Sequence, residues 1–176
     1  QRVYENAQDS GADRVVVATD DHRVQAACKA FGGEVLMTSV SHRSGTERVA
    51  EVVERLDLPS AHTVVNMQGD EPLMPGSLIR SVAEGLVEHP NCAVATLCEP
   101  MPPDLLFDPN AVKVVLNRDG NALYFTRAVA PWYRDAFAAG DKTPKALHYR
   151  HVGLYAYQAG YLHRYISLPP SDLEFA

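Results

Sequence analysis

The chain has 176 residues, 46% of them hydrophobic and 22% charged, with a formal net charge of −6. This is the composition of an ordinary globular protein with enough apolar material for one sizeable core. The acidic balance argues against general nucleic-acid binding, no 18-residue apolar run is present to span a membrane, and Cys28, Cys92 and Cys98 make neither a CxxC pair nor an even disulfide set. An anionic substrate must therefore be held by local arginines, and a reducing cytoplasm is the expected compartment.

The opening residues, Gln1 to Ala7, read as the interior of a helix without an initiator methionine or signal-peptide pattern, so the chain is expected to be part of a longer protein. Arg14 to Thr19 reads as a strand, and Asp20 or Asp21 caps a helix carrying Val24, Ala27, Cys28 and Phe31 on one face. Gly32 and Gly33 stop it. A short strand from Glu34 to Met37 leads through a polar loop to a helix beginning near Ser44, whose apolar face is Val49, Val52, Val53 and Leu56. The strand around Val64 follows, then a helix with Pro75 in its first turn and Leu78, Ile79, Val82 and Leu86 at helical spacing. Cys92 to Leu97 is the next strand.

Prolines 100, 102, 103 and 109 then break the pattern. Val112 to Leu116 and Ala122 to Phe125 flank Asn117-Arg118-Asp119-Gly120-Asn121, which is a hairpin signal. A polar stretch from Asp135 to Lys145, expected to be mobile, precedes His151 to Tyr157, which alternates like a strand. The expected architecture is α/β: one domain over residues 1–176, with a mixed, mostly parallel sheet, helices on both faces and an antiparallel extension.

Several chemistries lack their motif. There is no GxGxxG, no GxxxxGK[ST] and no GxSxG, and the HxxH pair His148 and His151 falls at a strand entry rather than on a helix, which argues against a zinc pair. Two segments carry more. In Val64-Val65-Asn66-Met67-Gln68-Gly69-Asp70-Glu71-Pro72 an apolar strand ends in a glycine, two carboxylates and a proline. This reads either as a metal-phosphate site at the carboxyl end of a strand or as a strand-to-helix turn whose acids complement the next helix dipole. In His42-Arg43-Ser44-Gly45-Thr46-Glu47-Arg48, Ser44 and Glu47 have capping-box spacing, and Gly45 permits close approach of a ligand to a helix N-terminus. Arg48 opposes the helix dipole in the first turn, so it either pairs with Glu51 or holds a carboxylate or phosphate in bidentate geometry.

Together, Val-Ala-Thr-Asp-Asp at 17–21, His-Arg-Ser-Gly-Thr-Glu-Arg at 42–48, Asn-Met-Gln-Gly-Asp-Glu-Pro at 66–72, Asn-Ala-Val-Lys-Val-Val at 110–115, Ala-Leu-Tyr-Phe-Thr-Arg at 122–127 and Arg-His-Val-Gly-Leu-Tyr-Ala-Tyr at 150–157 closely resemble the 3-deoxy-manno-octulosonate (Kdo) cytidylyltransferases. The resemblance covers essentially the whole chain. It implies a Rossmann-like nucleotidyltransferase fold and a cytoplasmic, homodimeric enzyme that converts CTP and Kdo into CMP-Kdo and pyrophosphate for lipopolysaccharide assembly. It also implies roles for matching residues: Asp70 as Mg²⁺ ligand and, with Arg48, catalytic; Arg48, Gln68, His151 and Tyr155 against Kdo; Ser44 and Gly45 against the cytidine. Thr19 and Asp20 are read as nucleotide-side scaffold or only a helix cap, and Glu71 as orienting the loop or binding water.

The family's N-terminal strand with its basic glycine loop, and its closing helix with a second acidic metal ligand, have no counterpart in these residues, so the chain by itself is expected to be inactive. The same motifs leave two other functions open. One is a cytidylyltransferase for another acceptor such as sialic acid or methylerythritol phosphate, with the sugar-side residues as discriminator. The other is a non-catalytic nucleotide-binding module. The hairpin at 112–125 also reads as a self-association surface.

Overall fold

Apolar segments punctuated by glycine, proline and capping residues fold into alternating helices and strands in the computed structural model, which describes residues 1–169. In chain order these are α1 (Arg2–Asp9), β1 (Val17–Thr19), α2 (His22–Ala30), β2 (Val35–Met37), α3 (Gly45–Arg55), β3 (Thr63–Asn66) and α4 (Gly76–Glu88). There follow β4 (Val94–Pro100), β5 (Lys113–Leu116), β6 (Ala122–Thr126), α5 (Arg134–Ala138), β7 (Tyr149–Gln158) and α6 (Ala159–Ile166). The chain divides into two compact units, one of Gln1–Ala95 with the chain from Leu154 onward, the other of Thr96–Gly153.

In the first unit β1 and β2 pair in parallel, Thr19 opposite Met37. Their crossover is α2, capped by Asp21, whose carboxylate accepts from the Arg23 N–H at 2.7 Å. Of its expected apolar face only Cys28 is buried, and Val24 is largely exposed. β3 pairs antiparallel with the end of β7, Val64 opposite Tyr157 and Asn66 opposite Tyr155. Packed on this pair is a core of Ala50 and Val53 from α3, Tyr157 from β7, and Ala159 and Leu162 from α6. Each large apolar side chain so buried contributes roughly 1.5–3 kcal/mol. α1 meets α4 closely: a Cβ on Gly76 would stand 2.8 Å from the Asn6 carbonyl oxygen, so only glycine fits there.

In the second unit β5 and β6 form the expected hairpin, with Val114 opposite Phe125. Its loop is fixed by Asn117, whose side-chain oxygen accepts from the N–H groups of Asp119 (2.9 Å) and Asn121 (2.8 Å), while Gly120 takes a φ of +81°. β5 also pairs antiparallel with β7, Lys113 opposite Arg150. Met101, Leu106, Ala111 and Val114 are its buried apolar residues.

Residues 135–145, a stretch expected to be mobile, carry the short helix α5 and a hydrogen-bonded turn around Asp141. Phe137 on α5 packs its ring against Trp132 at 4.4 Å and Phe107 at 5.8 Å. Asp141 accepts from the Thr143 N–H (2.9 Å), the Thr143 hydroxyl (2.6 Å) and the Lys145 ammonium, and this set holds its carboxyl far below the usual carboxylate range. The fold is thus α/β, with parallel pairing between β1 and β2 and antiparallel pairing in β3–β7, β5–β6 and β5–β7.

Candidate active site

The best-defined cluster in the first unit is built on the N-terminus of α3. Ser44 is the N-cap and accepts from the Glu47 N–H at 3.2 Å. Glu47 does not return the bond to Ser44, as the capping-box spacing predicts, but accepts from the Arg43 N–H at 2.7 Å, one residue earlier. The loop before the helix is thereby fastened as well as the helix itself.

Gly45, next to the cap, faces the end of β3. A Cβ there would lie 3.1 Å from Gln68 Nε2 and 3.6 Å from Asn66 Nδ2. Gln68 in turn donates to Asn66 Oδ1 at 3.3 Å. Asn66 is buried, Gln68 is exposed, and Tyr155 is the register partner of Asn66. Tyr155 stacks on Tyr157 with ring centroids 6.0 Å apart, and burial pushes both phenols above their ordinary pKa. The result is a helix N-terminus, two amides and a phenol in one place. Such a set offers donors to anionic or hydroxyl-rich groups and acceptors to sugar hydroxyls.

Arg48 does not form the Glu51 pair that its position in the helix suggests. It donates through Nη2 to Asp20 Oδ2 at 2.8 Å and through Nη1 to the Thr38 hydroxyl, while Glu51 is engaged by the Ser39 N–H (2.8 Å), His42 and Arg55 (3.2 Å). Asp20 is therefore not the cap of α2, which is Asp21. The Arg48 guanidinium holds the Asp20 carboxyl below its ordinary range, and the Ser39 N–H does the same for Glu51, helped by His42.

Asp70 and Glu71 are exposed in the turn after β3, where the Glu71 N–H donates to the Gln68 carbonyl at 3.4 Å. No described residue hydrogen-bonds to the Asp70 carboxylate, and among the described residues no group of three or more His, Cys, Asp or Glu is placed to hold a metal. A lone exposed carboxylate does suit Mg²⁺, which keeps several waters and binds through one or two carboxylates plus substrate phosphates.

His151 lies in the second unit. Its Nε2 is 2.9 Å from the Thr96 hydroxyl, whose oxygen is also 3.2 Å from the Val152 carbonyl oxygen. The ring meets Phe125 edge-on at 4.8 Å, and burial lowers the imidazole pKa. His148 shares none of these partners: its Nδ1 accepts from the Lys145 N–H (2.8 Å) and its Nε2 donates to the Pro131 carbonyl (2.8 Å). It is a satisfied core histidine.

Residue patterns alone did not single out Thr38, Thr96, Asn66 or Lys113. Lys113 is fully buried, and its ammonium donates to the carbonyls of Asp108 (2.6 Å), Ala111 (2.9 Å) and Arg127 (3.1 Å). A lysine inside the apolar run Val112 to Leu116 was the available signal.

A family model described as cytidylyltransferase matches residues 1–176. The chain belongs to the cytidylyltransferase family. Similar members named 3-deoxy-manno-octulosonate cytidylyltransferase include those of Photobacterium profundum, 55% identical across 99% of this chain and 70% of the relative, and Vibrio cholerae serotype O1, 51% identical across 99% and 69%. A solved structure of CMP:2-keto-3-deoxy-manno-octonic acid synthetase complexed with CTP superposes with a TM-score of 0.87 at 40% identity, covering 99% of this chain and 69% of that one. In this cytidylyltransferase the segments around Ser44, Asn66 and Tyr155 are therefore part of a fold already seen with a nucleotide bound.

Proposed function

We infer that the protein transfers CMP from CTP to Kdo, forming CMP-Kdo and pyrophosphate for lipopolysaccharide synthesis. What carries this reading is the 40% identity and TM-score of 0.87, over 99% of the chain, to the synthetase solved with CTP. The residue chemistry agrees. Kdo carries a carboxylate suited to an arginine fork and several hydroxyls suited to an amide that both donates and accepts.

In the proposed assignment Ser44 and Gly45 lie against the cytidine, and Arg48, Gln68 and Tyr155 contact the sugar. The amides of Gln68 and Asn66 stand close over Gly45, so the helix N-terminus is kept free of side-chain bulk only by the glycine. The anomeric hydroxyl attacks the α-phosphorus in line; a new O–P bond forms, the bond to the bridging oxygen breaks, pyrophosphate leaves and the hydroxyl proton passes to solvent. Positioning and charge neutralisation dominate such a transfer, so no covalent nucleophile is required of these residues. Asp70 is the residue we assign to Mg²⁺; when bound, the ion polarises the phosphate and lowers the pKa of the attacking hydroxyl.

We also propose a homodimer joined through β6. Every residue of Ala122 to Phe125 is exposed, including Leu123, Tyr124 and Phe125, and an apolar edge strand is a surface that proteins cover. The cytoplasm is the proposed compartment; no described helix is long and apolar enough to cross a membrane, and no disulfide links the three cysteines.

The test is Mg²⁺-dependent pyrophosphate release by the full-length protein with CTP and, in turn, Kdo, sialic acid or methylerythritol phosphate. Release with Kdo alone, lost in Asp70→Asn, is expected. Release with another acceptor overturns the sugar assignment, and release by Asp70→Asn at the parent rate overturns the metal assignment.

A further inference from the structure

β1 and β2 run in parallel, and the residue after the last paired position of each reaches the same guanidinium. Thr19 is opposite Met37, the Thr38 N–H donates to the Thr19 carbonyl at 2.8 Å, and the next side chains out, Asp20 and Thr38, both accept from Arg48. Asp21, by contrast, is committed to the cap of α2 and to Arg23. Two adjacent acids thus do separate jobs.

The two acceptors take different nitrogens, Nη1 and Nη2, which fixes the plane of the guanidinium as well as its location. Two of its five N–H groups are used, and three remain to donate elsewhere. Thr38 is buried, whereas the Arg48 and Asp20 side chains keep 21% and 36% of their exposure. An ion pair that open adds little to folding. What it does remove is the rotamer freedom of a long side chain, which an incoming carboxylate would otherwise have to freeze.

We infer that Asp20 and Thr38 are positioning residues that aim Arg48 at the sugar acid. The inference rests on the reading of Arg48 as a sugar contact. It makes a prediction opposite in sign to simple electrostatics, because Asp20 also offsets the positive charge of Arg48. Removing that negative charge should strengthen attraction for an anion if charge alone matters, and weaken binding if orientation matters. The lowered pKa of Asp20 keeps the acceptor ionised at neutral pH.

The experiment is steady-state kinetics of the full-length enzyme carrying Asp20→Asn, Thr38→Val, Thr38→Ser, or Arg48→Lys, with thermal melting of each. Asp20→Asn and Thr38→Val should raise the KM for Kdo roughly 10-fold while kcat and the KM for CTP stay within about 2-fold, and Thr38→Ser should recover the parent value. An unchanged or lower KM for Kdo in folded Asp20→Asn and Thr38→Val, with Arg48→Lys impaired, overturns the positioning role alone. An unimpaired Arg48→Lys overturns the sugar-contact reading beneath it. If Asp20→Asn does not fold, the Thr38→Val and Thr38→Ser pair decides: equal KM values for Kdo in those two overturn the inference.

Discussion

Gly45 and Gln68 stand so close that a single added methyl group at position 45 would sit 3.1 Å from Nε2 and 3.5 Å from Oε1 of the amide. Gln68 is exposed and has room to move, so the strain of Gly45→Ala is relieved by displacing that amide. At the first turn of a helix the change is also mildly favourable to folding, by about 0.5–1 kcal/mol. Gly45→Ala is therefore expected to melt no lower than the parent while its kcat/KM for Kdo falls roughly 10-fold. A variant that loses stability and activity together would mean that the close approach serves packing.

Ser44→Ala removes the side chain that caps the Glu47 N–H. The expected loss is about 1 kcal/mol. Because Glu47 holds the Arg43 N–H of the same turn, Glu47→Ala should also destabilise, and the double variant should depart from the sum of the two losses in urea denaturation.

Lys113→Met keeps most of the stem volume but strips the donors from three carbonyls. Buried acceptors left without partners cost roughly 1–3 kcal/mol each where no water replaces the donor, so a loss of about 2–4 kcal/mol is expected in chemical denaturation. Arg127 spans the same turn, donating to the Pro109 carbonyl at 3.0 Å, and Arg127→Met should be milder because that guanidinium is exposed.

His151 carries a pH signature. Burial lowers its pKa, so between that lowered value and about 6.5 the unfolded chain binds more protons than the folded one. Stability gains from this residue as pH rises through that window, and the deficit is complete below it. Urea midpoints of the parent protein should fall between about pH 7.5 and pH 5 by more than those of His151→Gln, the difference being the contribution of this imidazole.

Leu123→Lys places a charge on the exposed edge of the hairpin. If β6 joins two copies, sedimentation should show a dimer for the parent protein and a monomer for the variant, with melting of the monomer unaffected. A variant that remains dimeric would move the interface elsewhere.

The features legible in the sequence were those encoded within a few residues. The Ser44 cap, the hairpin around Asn117 and Gly120, and the β3 strand ending before Gly69 all follow from local spacing, and each is where the pattern puts it. Partners supplied by distant segments were not legible. Arg48 finds Asp20 across 28 positions rather than Glu51 across three, because the parallel strands bring Asp20 and Thr38 beside the first turn of α3. Strand partners are equally silent in periodicity: alternation marked His151 to Tyr157 as a strand but could not say that it pairs with β3 and β5 in the antiparallel sense. In the 135–145 stretch, polar composition did not reveal that one aspartate accepts three local hydrogen bonds.

The Asn6 side chain donates to the carbonyls of Pro72 (3.1 Å) and Met74 (3.0 Å), so the loop that follows Asp70 is moored to the first helix. Arg80 adds a second mooring by donating to the Ser10 carbonyl at 2.7 Å. The acidic turn is thus held from a helix 66 positions away in the chain, and Asn6→Ala would free Asp70 and Glu71 to move without touching either side chain.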